Sequence, residues 1–116
     1  MPITASFWEA CDTLLASSET MIDRPKGTAH PRYPDLIYPF DYGYLASTVA
    51  GDGDGIDLFI GSLLQPAQLI GILCTLDQLK RDMEIKLLIN CTDQDVNTIV
   101  NFLNSEYMSV MYIARV

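Results

Sequence analysis

The densest group of chemically capable residues is Gly51-Asp52-Gly53-Asp54-Gly55-Ile56-Asp57, with three carboxylates separated by glycines and one isoleucine. The glycines let the backbone curl and bring those carboxylates together. Two unit charges about 4 Å apart at an effective dielectric near 20 repel by roughly 4 kcal/mol. Converging carboxylates therefore need a cation between them, or they must splay into water. Spacing tests two calcium loops. An EF-hand begun at Asp52 places Ile56 at its fifth position and Leu63 at its twelfth, where oxygen ligands are required. A calcium β-helix needs tandem copies of its nonapeptide, and there is one. What remains is a hard-cation oxygen site, with Mg²⁺ or Mn²⁺ the natural occupant. The alternative is a hydrated Asp/Gly turn with no ligand.

A second acidic pair, Asp77 and Asp82, brackets a later turn. Beyond it Met83, Ile85, Leu87 and Ile89 point one way, and Asp82, Glu84 and Lys86 point the other. Two carboxylates and an ammonium thus share a face, which serves equally as a solvated, salt-bridged exterior. Cations gather upstream: Arg24, Lys26, His30 and Arg32 are four of the eight Lys, Arg and His residues. A further cation, Lys80, lies in the later turn. Arg32 could grip a phosphate with a bidentate fork, and Lys26 as a point charge. Otherwise this loop only aids solubility. His30, between Ala29 and Pro31, is given a structural place and no catalytic role. Tyr38-Pro39-Phe40-Asp41-Tyr42-Gly43-Tyr44 precedes the acidic turn. Core packing is the ordinary fate of such rings, but a buried Tyr hydroxyl needs a partner.

The elements that must hold these groups follow from periodicity. Ser6 and Glu9 stand at capping-box spacing before Phe7, Cys11, Leu14 and Leu15, which predicts a helix over 6–16. Thr92 caps a second helix over 93–104, where Val96, Ile99, Val100 and Leu103 repeat at helical spacing. Between and after them the period is two. Strands are expected at 20–23, 42–48, 56–61, 69–76, 83–89 and 108–116, with the Pro-rich stretch 24–36 an ordered loop. Five or six short strands and two helices predict an α+β, mainly β, domain: a small, strongly bent sheet or barrel with an N-terminal and a C-terminal helix packed outside.

Composition bounds the partners. A chain of 116 residues with 49% apolar and 19% charged residues is one core-forming domain spanning 1–116, not a disordered chain. Seven Lys and Arg against fifteen Asp and Glu give a net charge of −8, eleven of the acids being Asp. That opposes binding to nucleic acid or an anionic membrane, which needs a basic face. It does not oppose a small phosphate ligand, because metal ions can supply the positive charge. The three cysteines, Cys11, Cys74 and Cys91, have no C-x-x-C spacing, so neither a disulfide framework nor structural zinc is expected. The start MPITASFWEACD lacks a basic n-region, and no apolar run approaches about 18 residues. A cytoplasmic protein with neither signal peptide nor membrane span is expected. Leu63, Leu64, Leu69 and the strand at 108–116 offer apolar surface beyond one small core, so a homo-oligomer is expected too.

Taken in order, these pieces resemble a short, divergent family I soluble inorganic pyrophosphatase. The resemblance is carried by Tyr38-Pro39-x-Asp41-Tyr42-Gly43-Tyr44, Thr48, Asp52-Gly53-Asp54-Gly55-Ile56-Asp57, and Gly71-Ile72-Leu73 leading to Asp77-x4-Asp82. Upstream, Asp23-Arg24-Pro25-Lys26-Gly27 is similar to the family's Glu-x-Pro-Lys-Gly start. The match covers roughly residues 20–90. It implies a five-stranded, OB-like barrel with flanking helices and Mg²⁺-dependent hydrolysis of pyrophosphate, or another small phosphoanhydride, to phosphate. Asp52, Asp57, Asp77 and Asp82 would ligate metals, with Asp23 acting through water. Asp54 would be the base toward the attacking water, and Tyr42 would bond to phosphate or to metal-bound water. Arg32 matches a phosphate-binding Lys. Arg24 or Lys26 would replace an Arg whose hairpin is missing, and Lys86 lies two residues beyond Glu84, which aligns with a family Lys. The family's C-terminal Tyr-Lys pair has no counterpart. The rival reading is a metal- or phosphate-binding module on the same fold, with little or no turnover.

Overall fold

The computed structural model describes residues 6–116 and places two helices and six strands along the chain. Residues 1–5, which open the segment read as lacking a signal peptide, lie outside the described residues. Helix α1 (Phe7–Ala16) starts where Ser6 Oγ accepts the Glu9 N–H at 3.1 Å. Then come β1 (Thr20–Arg24), β2 (Asp41–Leu45), β3 (Asp57–Ile60), β4 (Leu69–Asp77) and β5 (Asp82–Ile89). Helix α2 (Asp93–Leu103) and β6 (Met108–Ala114) close the chain.

The six strands form one sheet in the order β1-β2-β3-β5-β4-β6. Every neighbouring pair is antiparallel except β3 and β5. The expected element content is therefore present, but the sheet is not closed: β1 and β6 lie at opposite edges. The physical reason is that both faces are put to use. Leu73, Leu88 and Phe59 pack on one face with Val96 and Ile99 of α2. Leu58, Ile72, Leu87 and Ile89 form a second cluster, against which Trp8, Cys11, Leu14 and Leu15 of α1 pack. A barrel has one interior, whereas here each face has its own helix to bury.

Three local features set the frame of the site. At Gly43, a Cβ would lie 1.9 Å from the Met21 carbonyl oxygen, so only glycine lets β1 and β2 approach so closely. Strand β2 stops at Leu45, short of the expected Thr48, because Ser47 adopts φ 60° and the Thr48 hydroxyl closes a turn. That hydroxyl donates to Leu45 O (2.7 Å) and accepts from the Ile56 N–H (3.0 Å). Finally, the Arg115 guanidinium clamps both Asp12 carboxylate oxygens at 2.7 Å, fastening α1 to the end of β6. Leu69, expected to be surface, is 1% exposed in the core because it stands opposite Ile89 in the sheet. Leu64 and Val116 are fully exposed.

Candidate active site

Strand register brings most of the singled-out residues to one face of the sheet. Leu58 stands beside Leu87 in the parallel pair, so Asp57 and Lys86, one residue earlier on each strand, fall on the opposite face together. Across β4 and β5, Asp77 faces Asp82, Thr75 faces Glu84 and Leu73 faces Lys86. Across β2 and β3, Tyr42 faces Phe59 and Tyr44 faces Asp57. Tyr42, Asp57, Asp77, Asp82, Glu84 and Lys86 therefore share a face. Its apolar end, at Phe59, Leu73 and Leu88, lies with α2.

At the centre stands Lys86, 6% exposed. Its Nζ donates to the Tyr42 phenol oxygen (2.8 Å), to Glu84 Oε2 (3.1 Å) and to Asp57 Oδ2 (3.3 Å). It also lies 5.2 Å from the centre of the Tyr42 ring. Burial opposes the ammonium charge, but Tyr42, Asp57 and Glu84 outweigh it and raise the pKa of Lys86. Burial, with help from Asp57 and against the pull of Lys86, raises that of Tyr42, which stays a neutral phenol.

The acidic loop enters beside this group. Asp52 Oδ1 accepts the Asp54 N–H (2.9 Å), the Ala50 N–H donates to Asp54 O (2.6 Å), and Gly53 adopts φ 89°. The Asp54 N–H is the main cause that holds the Asp52 carboxyl below its ordinary range. A cavity of about 630 Å³ lies on the opposite face of the sheet, against α1, walled by Phe7, Leu14, Met83 and Ile85 among others, and Asp52, Asp57 and Glu84 also border it. A Cβ on Gly55 would sit 2.8 Å from the Tyr44 ring, so the position stays without a side chain and packs the tyrosine instead.

The remaining candidates are placed more loosely. Asp77 Oδ1 accepts the N–H groups of Leu79 (2.9 Å) and Lys80 (3.0 Å) and so shapes the β4–β5 turn. A bulge between Ile22 and Arg24 leaves Asp23 as the extra, exposed residue and pairs Arg24 with Tyr42. The Arg24 guanidinium donates to the Tyr38 hydroxyl and lies 5.7 Å from the Tyr42 ring centre. The Lys26 N–H donates to Asp41 Oδ1 (2.8 Å), while its ammonium stands 5.6 Å from the Phe40 ring centre. Arg32 and Asp54 are exposed. His30 Nδ1 accepts the N–H groups of Arg32 (3.0 Å) and Tyr33 (3.2 Å), a loop-shaping role. Burial and then the cations Arg24, Arg32 and Lys80 lower its pKa.

Tyr42, Asp57 and Lys86 are thus in contact, Asp52 is close enough for Glu84 and Lys86 to act on its carboxyl, and Asp77, Asp82 and Arg24 share the face without joining the contact network. Glu84 and Tyr38, not among the expected site residues, are partners of Lys86 and Arg24. Glu84 was visible at period two from Lys86, whereas for Tyr38 the sequence signalled only that a buried hydroxyl needs a partner, not that Arg24 supplies it. The donors suit a hard divalent cation in kind, being carboxylates. Among the described residues no three His, Cys, Asp or Glu side chains stand close enough to hold a metal. The cation that the carboxylates do hold is the ammonium of Lys86.

Comparison with known proteins bears on this geometry. The family model described as "Inorganic pyrophosphatase" matches residues 22–112. An inorganic pyrophosphatase of Campylobacter jejuni subsp. jejuni serotype O:2 is 31% identical over 77 residues, covering 60% of this chain and 41% of that protein. The chain thus spans well under half of the length of that curated relative. Among solved structures, an inorganic pyrophosphatase from Neisseria gonorrhoeae superposes with a TM-score of 0.66 at 16% identity, over 82% of this chain and 80% of that one. One from Coxiella burnetii gives 0.64 at 17% identity, over 82% and 84%. These two likenesses are of fold.

Proposed function

The chain belongs to the inorganic pyrophosphatase family, and from that premise we propose that it hydrolyses pyrophosphate, or a related small phosphoanhydride, to phosphate. The observation that carries this reading is the convergence of Tyr42, Asp57 and Glu84 on Lys86, with Asp52 of the acidic loop close enough for Glu84 and Lys86 to act on its carboxyl. Those groups are the metal half and part of the phosphate half of a phosphoanhydride site. Mg²⁺, with Mn²⁺ as the alternative, would be held by Asp52, Asp57, Asp77 and Asp82, with Asp23 through water, and would neutralise the diphosphate and acidify the attacking water.

The protein's own groups do the rest. Asp54, exposed on the loop and held in register by its backbone, accepts the proton of the attacking water. The water oxygen forms a bond to one phosphorus as the bond from that phosphorus to the bridging oxygen breaks, and the second phosphate leaves with the bridging oxygen. Arg24, Lys26, Arg32 and Lys86, with the Tyr42 hydroxyl, bind and orient the phosphates. The work is done by the 1–116 domain as a cytoplasmic homo-oligomer. Exposed Leu63, Leu64, Met111 and Ile113 supply the association surface. A monomeric mass across micromolar concentrations would refute the oligomer.

A second reading, a metal- or phosphate-binding module with little turnover, is favoured by the spending of Lys86 on carboxylates. Phosphate release from pyrophosphate, with and without Mg²⁺, decides between them. Release that requires the metal supports the hydrolase. No release at saturating Mg²⁺, with calorimetric binding of metal or phosphate retained, supports the module.

A further inference from the structure

The hydrolytic scheme asks Lys86 to face phosphate, yet its ammonium is engaged elsewhere. The side chain is 8% exposed, and its Nζ reaches Tyr42, Glu84 and Asp57 at 2.8, 3.1 and 3.3 Å. An ammonium has three donors, and three acceptors occupy them. Backbone register places these residues on one face within reach of one another. Glu84 lies two residues back on the same strand, and the parallel pairing of β3 with β5 sets Asp57 alongside. Asp57 is also the carboxylate that the acidic loop delivers to the sheet. An incoming divalent ion would share the Asp57 carboxylate with Lys86, which holds its Oδ2, and would meet a like charge a few ångströms away.

We infer that Lys86 is an intramolecular competitor for a divalent ion at Asp57, a tethered cation that must leave the Asp57–Glu84 pair before metal loads there. The inference rests on the proposed role of Asp57 as a metal ligand. It assigns to Lys86 the control of metal affinity, separate from any contact with substrate. A purely structural pin would not have this property: its removal would loosen the fold and weaken metal binding. A residue that only touches phosphate would leave metal affinity in the absence of phosphate unchanged.

The test is calorimetric titration of Mg²⁺ into the full chain without phosphate, for the wild type, Lys86→Gln and Lys86→Arg. The Lys86→Gln protein is expected to bind its first Mg²⁺ about tenfold more tightly or better, since the competing charge is gone. Lys86→Arg keeps the charge and is expected to keep the weaker affinity. Equal or weaker Mg²⁺ binding by Lys86→Gln overturns the inference, and so does failure of both wild type and variant to bind Mg²⁺. Should Lys86→Gln not fold, as judged by circular dichroism, the wild type carries the test. The ¹³Cε and ¹⁵Nζ resonances of Lys86 must shift as Mg²⁺ saturates the protein, and unmoved resonances overturn the inference. Phosphate release is measured separately. Tighter Mg²⁺ binding by Lys86→Gln with no turnover in the wild type would sink the hydrolase reading and leave this one standing. Turnover with unchanged affinity would do the reverse.

Discussion

Asp95 and Lys86 are the two buried charged residues among those described, and they are satisfied in opposite ways. Asp95 Oδ2 accepts the Ser62 N–H (2.8 Å), the Ser62 hydroxyl (2.7 Å) and the Thr92 N–H (3.0 Å). Its own N–H donates to Thr92 Oγ1 (3.1 Å), completing the capping box of α2. Burial pushes the Asp95 carboxyl up, but these hydrogen bonds win and hold it below its ordinary value. Gly61 makes the arrangement possible, since a Cβ there would lie 2.8 Å from the same carboxylate oxygen. Lys86 is held instead by side chains from three strands, two of them carboxylates. A charge bonded to backbone N–H groups can be released only by breaking the fold. A charge bonded to partly exposed side-chain carboxylates can be exchanged for another cation. The first is a fastening of α2, and the second is a site.

The sharpest way to extend that contrast is through Asp54, which neither charge touches. Asp54→Asn is expected to cut phosphate release by about 10²–10⁴-fold, because an amide cannot accept the proton. Its Mg²⁺ affinity by calorimetry should stay near that of the wild type, whereas Asp57→Asn should weaken Mg²⁺ binding itself. Equal effects of the two changes would make Asp54 merely another ligand.

Next in size is the fastening. Asp95→Ala strands the Ser62 and Thr92 N–H groups and should lower stability by about 1–3 kcal/mol in urea unfolding. Phosphate release per folded molecule should be unaltered. A change in turnover of the folded protein would mean that the two regions are coupled.

Tyr42→Phe removes one of the three acceptors of Lys86, and a stability loss of about 0.5–1.5 kcal/mol is expected. A Lys86 freed in part toward Asp57 should also weaken Mg²⁺ binding slightly. Tighter binding would break the contrast, since it would make the phenol the group that holds Lys86 in place.

The smallest expected effect is one of slope. The depressed pKa of Asp95 contributes stability that is present above the unfolded carboxyl pKa of about 3.9 and is lost as pH falls through the lower folded value. Urea midpoints measured downward from pH 5 should therefore fall less steeply in Asp95→Asn than in the wild type. Identical slopes would assign the acid sensitivity to other carboxylates, Asp12 on Arg115 among them.

The sequence alone determined what is local. Thr92 with Asp95, and Val96 with Ile99, announce the start and the buried stripe of α2, because a cap and a helical face involve neighbours only three or four residues apart. Alternation placed Asp82, Glu84 and Lys86 on one face for the same reason, with period two along a single strand. The Asp/Gly run read as a turn, and the loop has that form, closed by the Asp54 N–H on Asp52 Oδ1. What lay between strands was not legible. The openness of the sheet depends on which faces the helices cover, and the end of β2 at Leu45 depends on a Thr48 hydroxyl bonded across the loop to Ile56. Leu69 became core because it pairs with Ile89, twenty residues away. Lys86 became the centre of the site because parallel pairing brought Asp57 beside it and Tyr42 arrived from a third strand. Tertiary structure decided those contacts because strand order and register, not spacing along the chain, settle which acceptors must share one donor.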